Sequence, residues 1–127
     1  MLNVKVENSI CNMTLQRSDV RNAFNPELIQ KLTTSFKSID LNKDVRAVVL
    51  RGEGKVFCAG ADLTWMKDMA QYSQEENKKD SEVLFEMFES IRTCQVPVIT
   101  LVQGAAFGGA LGIIAASDFV VADSKAQ

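Results

Sequence analysis

Gln103-Gly104-Ala105-Ala106-Phe107-Gly108-Gly109-Ala110-Leu111-Gly112 is the stretch on which the fold turns. It follows the β-branched apolar run Val96-Pro97-Val98-Ile99-Thr100-Leu101-Val102 and leads into Ile113-Ile114-Ala115-Ala116, so it reads as strand, glycine turn and short helix. No charged residue occurs from Val96 to Ser117, a run long enough to raise the question of a membrane span. Pro97, Gln103 and the glycines interrupt it, and a buried parallel strand followed by a packed helix accounts for the composition better.

A second loop of the same kind, Phe57-Cys58-Ala59-Gly60-Ala61-Asp62, lies upstream and again precedes a helical pattern. Small residues let a ligand approach the backbone closely, and the first N–H groups of a helix have no partner within it. Two such donors, one from each loop, could hold a single carbonyl oxygen as it becomes negative. Taken alone, Gly108, Gly109 and Gly112 fit equally well a helix packed tightly on a sheet. Neither G-x-G-x-x-G nor a Walker A pattern is present, so dinucleotide and nucleoside triphosphate sites lack a signature.

Outward from the loops, the pattern alternates between strands and helices. Val4–Glu7 and Ile10–Leu15 suggest a hairpin around Asn8-Ser9. Asn25-Pro26 supplies a cap and a preset first turn for a helix whose Leu28, Ile29, Leu32, Phe36 and Ile39 share one face. Ala47–Leu50 is a short buried strand. Ser73-Gln74-Glu75-Glu76 matches a capping box before a helix carrying Val83, Leu84, Met87, Phe88 and Ile91. Strand Val96–Val102, helix Gly109–Ala116 and strand Phe119–Ala122 complete the chain. This order implies a largely parallel α/β sheet, whose ligands sit beyond the carboxyl ends of the strands, where both glycine loops fall.

Composition narrows the chemistry. The 127 residues suit one domain, and 14 basic against 16 acidic side chains, a net charge of -2, give no block suited to nucleic acid. The three cysteines, Cys11, Cys58 and Cys94, are widely spaced, so neither a disulfide framework nor a zinc site is indicated, and a reducing cytoplasm fits best. Met1–Glu7 lacks the charged start and apolar stretch of a signal peptide. Histidine is absent, which removes Ser-His-Asp and Cys-His catalysis and leaves carboxylates for proton transfer near neutral pH. Cys58 has no activating base in the sequence and reads as a small buried thiol.

Arg21-Asn22-Ala23-Phe24-Asn25, the Phe-x-Ala-Gly-Ala-Asp-Leu loop, Val96-Pro97-Val98-Ile99, and Gly108-Gly109 before Ser117-Asp118 together resemble the enoyl-CoA hydratase/isomerase family of the crotonase superfamily. The Ala-Gly-Ala-Asp-Leu-x-Trp-Met run looks most like bacterial enoyl-CoA hydratases, including methylglutaconyl-CoA hydratase-like members. The resemblance implies a crotonase-like (ClpP/crotonase) fold with a ββα-type spiral core. It also implies that residues 1–127 form the N-terminal part of one such domain, ahead of a later catalytic glutamate and of the helices through which family members form trimers or pairs of trimers. The chain alone is then expected to be inactive, and to be weakly soluble or partner-dependent.

By the same resemblance the N–H groups of Ala61 and Gly109 bind the thioester oxygen of an acyl-CoA and stabilise its enolate, with Gly60 and Gly108 beside them. Backbone around Ala23, Asp62 and Leu63 meets the adenine and pantetheine, and Arg21 meets a CoA phosphate or is an ordinary solvated charge. Asp62 is foremost a helix cap. Trp65 and Met66 line the acyl pocket or pack in the core. The substrate is the CoA thioester itself; no metal or redox cofactor is implied, and neither membrane nor nucleic acid is an expected partner.

One position departs from the pattern. Hydratases of this family generally carry a glutamate three residues after the second oxyanion glycine, although some hydratase-like members have glycine there, as this chain does at Gly112. Glycine has no side chain with which to move a proton or orient water, so the two-carboxylate hydration scheme lacks one of its groups. Glu82, Glu86 and Glu89 match the polar face of their helix and read as solvated. Enoyl-CoA hydration, double-bond isomerisation and non-catalytic acyl-CoA binding all stay open on the sequence.

Overall fold

The computed structural model describes all residues, Met1–Gln127. Five strands form one sheet: β1 (Leu2–Glu7), β2 (Ile10–Leu15), β3 (Ala47–Gly52), β4 (Val98–Val102) and β5 (Phe119–Ala122). Their spatial order follows the sequence, with β1 antiparallel to β2 and every later pair parallel. Four helices connect them: α1 (Pro26–Ile39), α2 (Leu63–Met69), α3 (Gln74–Arg92) and α4 (Gly109–Ala116).

Local chemistry explains the element boundaries. Asn8 and Ser9 have φ of 52° and 64°, the pair of positive values that a tight hairpin turn demands, so the strands meet where the sequence placed the turn. The Asn25 side chain accepts from the Leu28 N–H at 2.9 Å, and Pro26 occupies the first helical position of α1. At the start of α3 both halves of the capping box form, Ser73 with Glu76. β1 begins two residues earlier than expected and β3 runs two residues further, to Gly52, because each is paired along its length with β2. β4 starts at Val98 rather than Val96, its first register partner being Val48. A 3₁₀ turn at Ser18–Val20, which periodicity does not signal, leads into Arg21 and Asn22, both left-handed at φ 54° and 55°.

The core lies between one face of the sheet and the helices. Met13, Leu15, Val48, Leu50 and Val98 from the strands meet Leu28, Leu32 and Phe36 of α1, Met87 and Ile91 of α3, and Ala110 and Ile113 of α4. Removing such apolar surface from water contributes roughly 25 cal/mol per Å². The charge-free run therefore serves an internal strand and helix, and no helix of the chain is long and apolar enough to cross a membrane. β5 differs from the other parallel strands, since all four of its residues are exposed.

Candidate active site

Three backbone segments run side by side beyond the carboxyl ends of β3 and β4. The middle one is the first glycine loop. On one flank Phe24 donates to the Gly60 carbonyl at 2.7 Å and accepts from the Asp62 N–H at 2.8 Å, while the Ala59 N–H reaches the Arg21 carbonyl at 3.0 Å. On the other flank Cys58 pairs with the second loop, donating to the Ala105 carbonyl at 3.2 Å and accepting from the Phe107 N–H at 3.1 Å. Cys58 and Ala106 face each other as a parallel bridge, so Ala61 and Gly109 each stand three residues beyond the same register point.

This pairing fixes where the Ala61 N–H points. Every peptide bond is trans, and in a trans peptide the N–H is directed opposite to the carbonyl that precedes it. The Gly60 carbonyl is held toward Phe24, so the Ala61 N–H faces away from Phe24, toward the flank where the second loop lies. The same rule applies to Gly109. The Gly108 carbonyl accepts from the Leu111 N–H at 3.0 Å, inside the first turn of α4, so the Gly109 N–H leaves the helix at its N-terminal end. Neither N–H is engaged by any group of the protein. Both donors are therefore free at the junction of the loops, and the Gly109 one carries the partial positive charge of a helix start.

The close approach of the loops depends on Gly60. Its φ is +90°, and a Cβ there would lie 2.9 Å from the Phe107 carbonyl oxygen, a contact no side-chain-bearing residue tolerates. Gly109 lies against the Phe24 ring, where a Cβ would stand 3.0 Å from Cε2. Gly112 faces the Phe88 ring of α3, with only 2.5 Å between a built Cβ and the nearest ring carbon. Any side chain at 112, a glutamate included, would need the Phe88 ring to move.

Beside the free Ala61 donor lies a groove of about 590 Å³, lined by Arg21, Ala23, Asp62, Leu63 and Phe107 among others. The structure thus brings the residues expected to bind the CoA moiety to one surface. Arg21 is exposed and makes no ion pair, leaving its guanidinium free for an anionic ligand. Asp62 caps α2, accepting from the Thr64 N–H at 2.8 Å. That N–H, followed by the Arg17 guanidinium, holds the Asp62 carboxyl below the usual carboxylate range. Burial pushes the Cys58 thiol up to about 11, so it carries no nucleophilic thiolate near neutral pH.

Other expected positions fall elsewhere. Trp65 is 7% exposed and its indole N–H donates to Asp80 at 3.2 Å, tying α2 to α3. Met66 is half exposed, and neither residue lines the groove. Glu86 pairs with Lys37 and Glu89 with Arg92, both at the surface, and Glu82 is exposed, which leaves them on the solvated face.

Two supporting residues escape a sequence reading. Arg17 bonds the Ala23 carbonyl and pairs with Asp62 at 2.9 Å, with side chains only 15% and 13% exposed. Asn22, fully buried, donates to the Glu53 and Val56 carbonyls and accepts from the Arg17 N–H, each at 2.9 Å. The available signal is faint: asparagine is among the few residues that tolerate a left-handed backbone.

Residues 5–127 match the model of the family described as enoyl-CoA hydratase/isomerase. The chain belongs to that family. An enoyl-CoA hydratase from Shewanella pealeana superposes with a TM-score of 0.96 at 38% identity, covering 98% of this chain and 47% of that one. One from Mycobacterium smegmatis gives 0.92 at 31%, covering 98% and 48%. A peroxisomal Δ(3,5)-Δ(2,4)-dienoyl-CoA isomerase from Arabidopsis thaliana is 30% identical, over 88% of this chain and 44% of its own. The chain spans about half the length of the relatives it matches. The crotonase-like fold that the resemblance implies is the fold of such neighbours.

Proposed function

We propose that this chain binds an acyl-CoA thioester and stabilises its enolate through the Ala61 and Gly109 N–H groups, in the service of enoyl-CoA hydration. The observation that carries the reading is the pair of unengaged backbone donors at equal offset from the Cys58–Ala106 bridge. The adjoining groove would take the nucleotide and pantetheine, with Arg21 on a phosphate and the backbone of Ala23, Asp62 and Leu63 along the rest. Gly60 serves by leaving room against Phe107, and Gly108 by adopting a φ of +55° that few side-chain-bearing residues accept. As the thioester becomes an enolate its oxygen gains charge, and the donors hold the charged form more strongly than the neutral one.

A second reading, isomerisation of an enoyl-CoA double bond, is favoured by Gly112. Gly112 carries no carboxylate and the Phe88 ring lies against it, which suits chemistry that shuttles one proton without activating water. We further propose that residues 1–127 act as the front part of a crotonase-fold domain that assembles as a trimer or hexamer. No proton-transfer carboxylate is assigned within them.

Position 109 offers a controlled test. Gly109→Ala and Gly109→Pro add the same Cβ against Phe24, and proline is tolerated at the first helical position, so the two differ in the N–H and in the ring carbon that takes its place. Calorimetry with crotonyl-CoA, corrected by free CoA, is expected to show the proline variant weaker than the alanine variant by roughly three- to tenfold, the worth of one hydrogen bond. Equal affinities would remove the Gly109 donor from the reading. Assays of hydration and isomerisation on the same samples separate the catalytic readings, and binding without turnover favours a non-catalytic acyl-CoA-binding chain.

A further inference from the structure

We infer that Arg17 is the positioning residue for the first oxyanion donor: its guanidinium sets the direction of the Ala61 N–H without touching substrate. The inference rests on the acyl-CoA reading above and adds to it a residue that lies outside the glycine loops.

Arg17 is anchored at its root. Its N–H donates to the Asn22 side chain at 2.9 Å, its carbonyl accepts from the Asn22 N–H at 2.8 Å, and Asn22 is tied to the Glu53 and Val56 carbonyls. From this fixed base the guanidinium spans two segments. One nitrogen donates to the Ala23 carbonyl and the other to Asp62 Oδ2 at 2.9 Å. Those two acceptors bracket the exchange in which Phe24 bonds both the Gly60 carbonyl and the Asp62 N–H. The Gly60–Ala61 peptide lies inside that bracket. Holding residues 23 and 62 together therefore holds the Gly60 carbonyl toward Phe24, and the trans peptide then directs the Ala61 N–H the opposite way.

Charge adds a second effect. The Asp62 carboxylate lines the groove beside the Ala61 donor, where an anionic ligand and a developing enolate would be repelled by it. Arg17 neutralises that carboxylate and leaves its other oxygen free to cap Thr64. A planar guanidinium can grip a carboxylate and a carbonyl together, whereas a lysine ammonium at the same position would act as a point charge without the fork.

Acetyl-CoA labelled with ¹³C at the thioester carbonyl reads the donor directly, because the carbonyl resonance and stretching frequency respond to polarisation by hydrogen bonds. Bound to the wild-type chain, the carbonyl is expected to show a polarisation shift. Arg17→Met should lose most of that shift and about tenfold in acetyl-CoA affinity relative to free CoA, the equivalent of one charge-assisted bond. Arg17→Lys should restore the charge effect on affinity but not the full spectroscopic shift. A folded Arg17→Met that keeps the complete shift overturns the inference. If Arg17→Met does not fold by circular dichroism, Arg17→Lys decides, and an undiminished shift there overturns it equally. Absence of any shift in the wild type, with binding intact, instead removes the oxyanion reading, and this inference with it.

Discussion

The two proposed donors are presented by opposite means. The Ala61 N–H is aimed by polar contacts: the Phe24 exchange, the Arg17 fork and the buried Asn22 amide. The Gly109 N–H is aimed by the first turn of α4, where the Gly108 carbonyl accepts from Leu111, and that charge-free helix is itself seated by shape, with Gly109 against Phe24 and Gly112 against Phe88. A polar brace responds to lost partners and to pH. A packed brace responds to volume. The site therefore has one half that should yield to removal of hydrogen bonds and another that should yield to added methyl groups.

The sharpest way to break this contrast is Asn22→Ala. It leaves the buried Glu53 and Val56 carbonyls without their donor and puts alanine at φ 55°, so a loss of about 3–5 kcal/mol is expected by denaturant unfolding. A loss below about 1 kcal/mol would show that the first loop does not depend on its polar brace. Gly109→Ala probes the other half. A Cβ 3.0 Å from the Phe24 ring overpacks the contact and should cost about 1–3 kcal/mol, with Phe24→Leu recovering part of it in the double variant. Additive losses would mean that the ring is not the obstacle.

Trp65→Phe keeps most of the buried aromatic volume and removes the hydrogen bond to Asp80, so about 1 kcal/mol should be lost, read as a lower thermal midpoint. The smallest effect concerns pH. Asp62 has its folded carboxyl held below the usual range, first by the Thr64 N–H. Its contribution is therefore complete above the unfolded value of about 4 and fades as pH falls through the lower folded value. Asp62→Asn should flatten the acid limb of the stability profile by no more than about 1 kcal/mol at this partly screened site. An unchanged limb would exclude Asp62 from the acid response.

Much of this architecture was legible because short-range chemistry dictates it. Asn25-Pro26, Ser73 with Glu76 and the left-handed Asn8-Ser9 each specify a boundary through one or two backbone bonds, and the structure obeys all three. The glycine loops revealed themselves through residue size. Arg17 was not legible, because its meaning depends on Asp62, 45 residues away, and a lone arginine reads as a solvated charge. Trp65 was ambiguous for a related reason: aromatic bulk beside a loop suits a pocket wall or a helix anchor, and only the contact with Asp80 distinguishes them. Gly112 could be seen as a departure, but the ring that faces it comes from a different helix.

Cys58 gives the molecule a built-in clock. Its thiol is fully buried as part of the core, and its backbone is stitched to Ala105 and Phe107. Alkylating reagents can reach it only when the structure around it opens, and the raised thiol ionisation slows reaction further in the closed form. Its modification rate, compared with that of the half-buried Cys94, would measure how often the halves of the candidate site separate and how far a bound thioester suppresses such breathing.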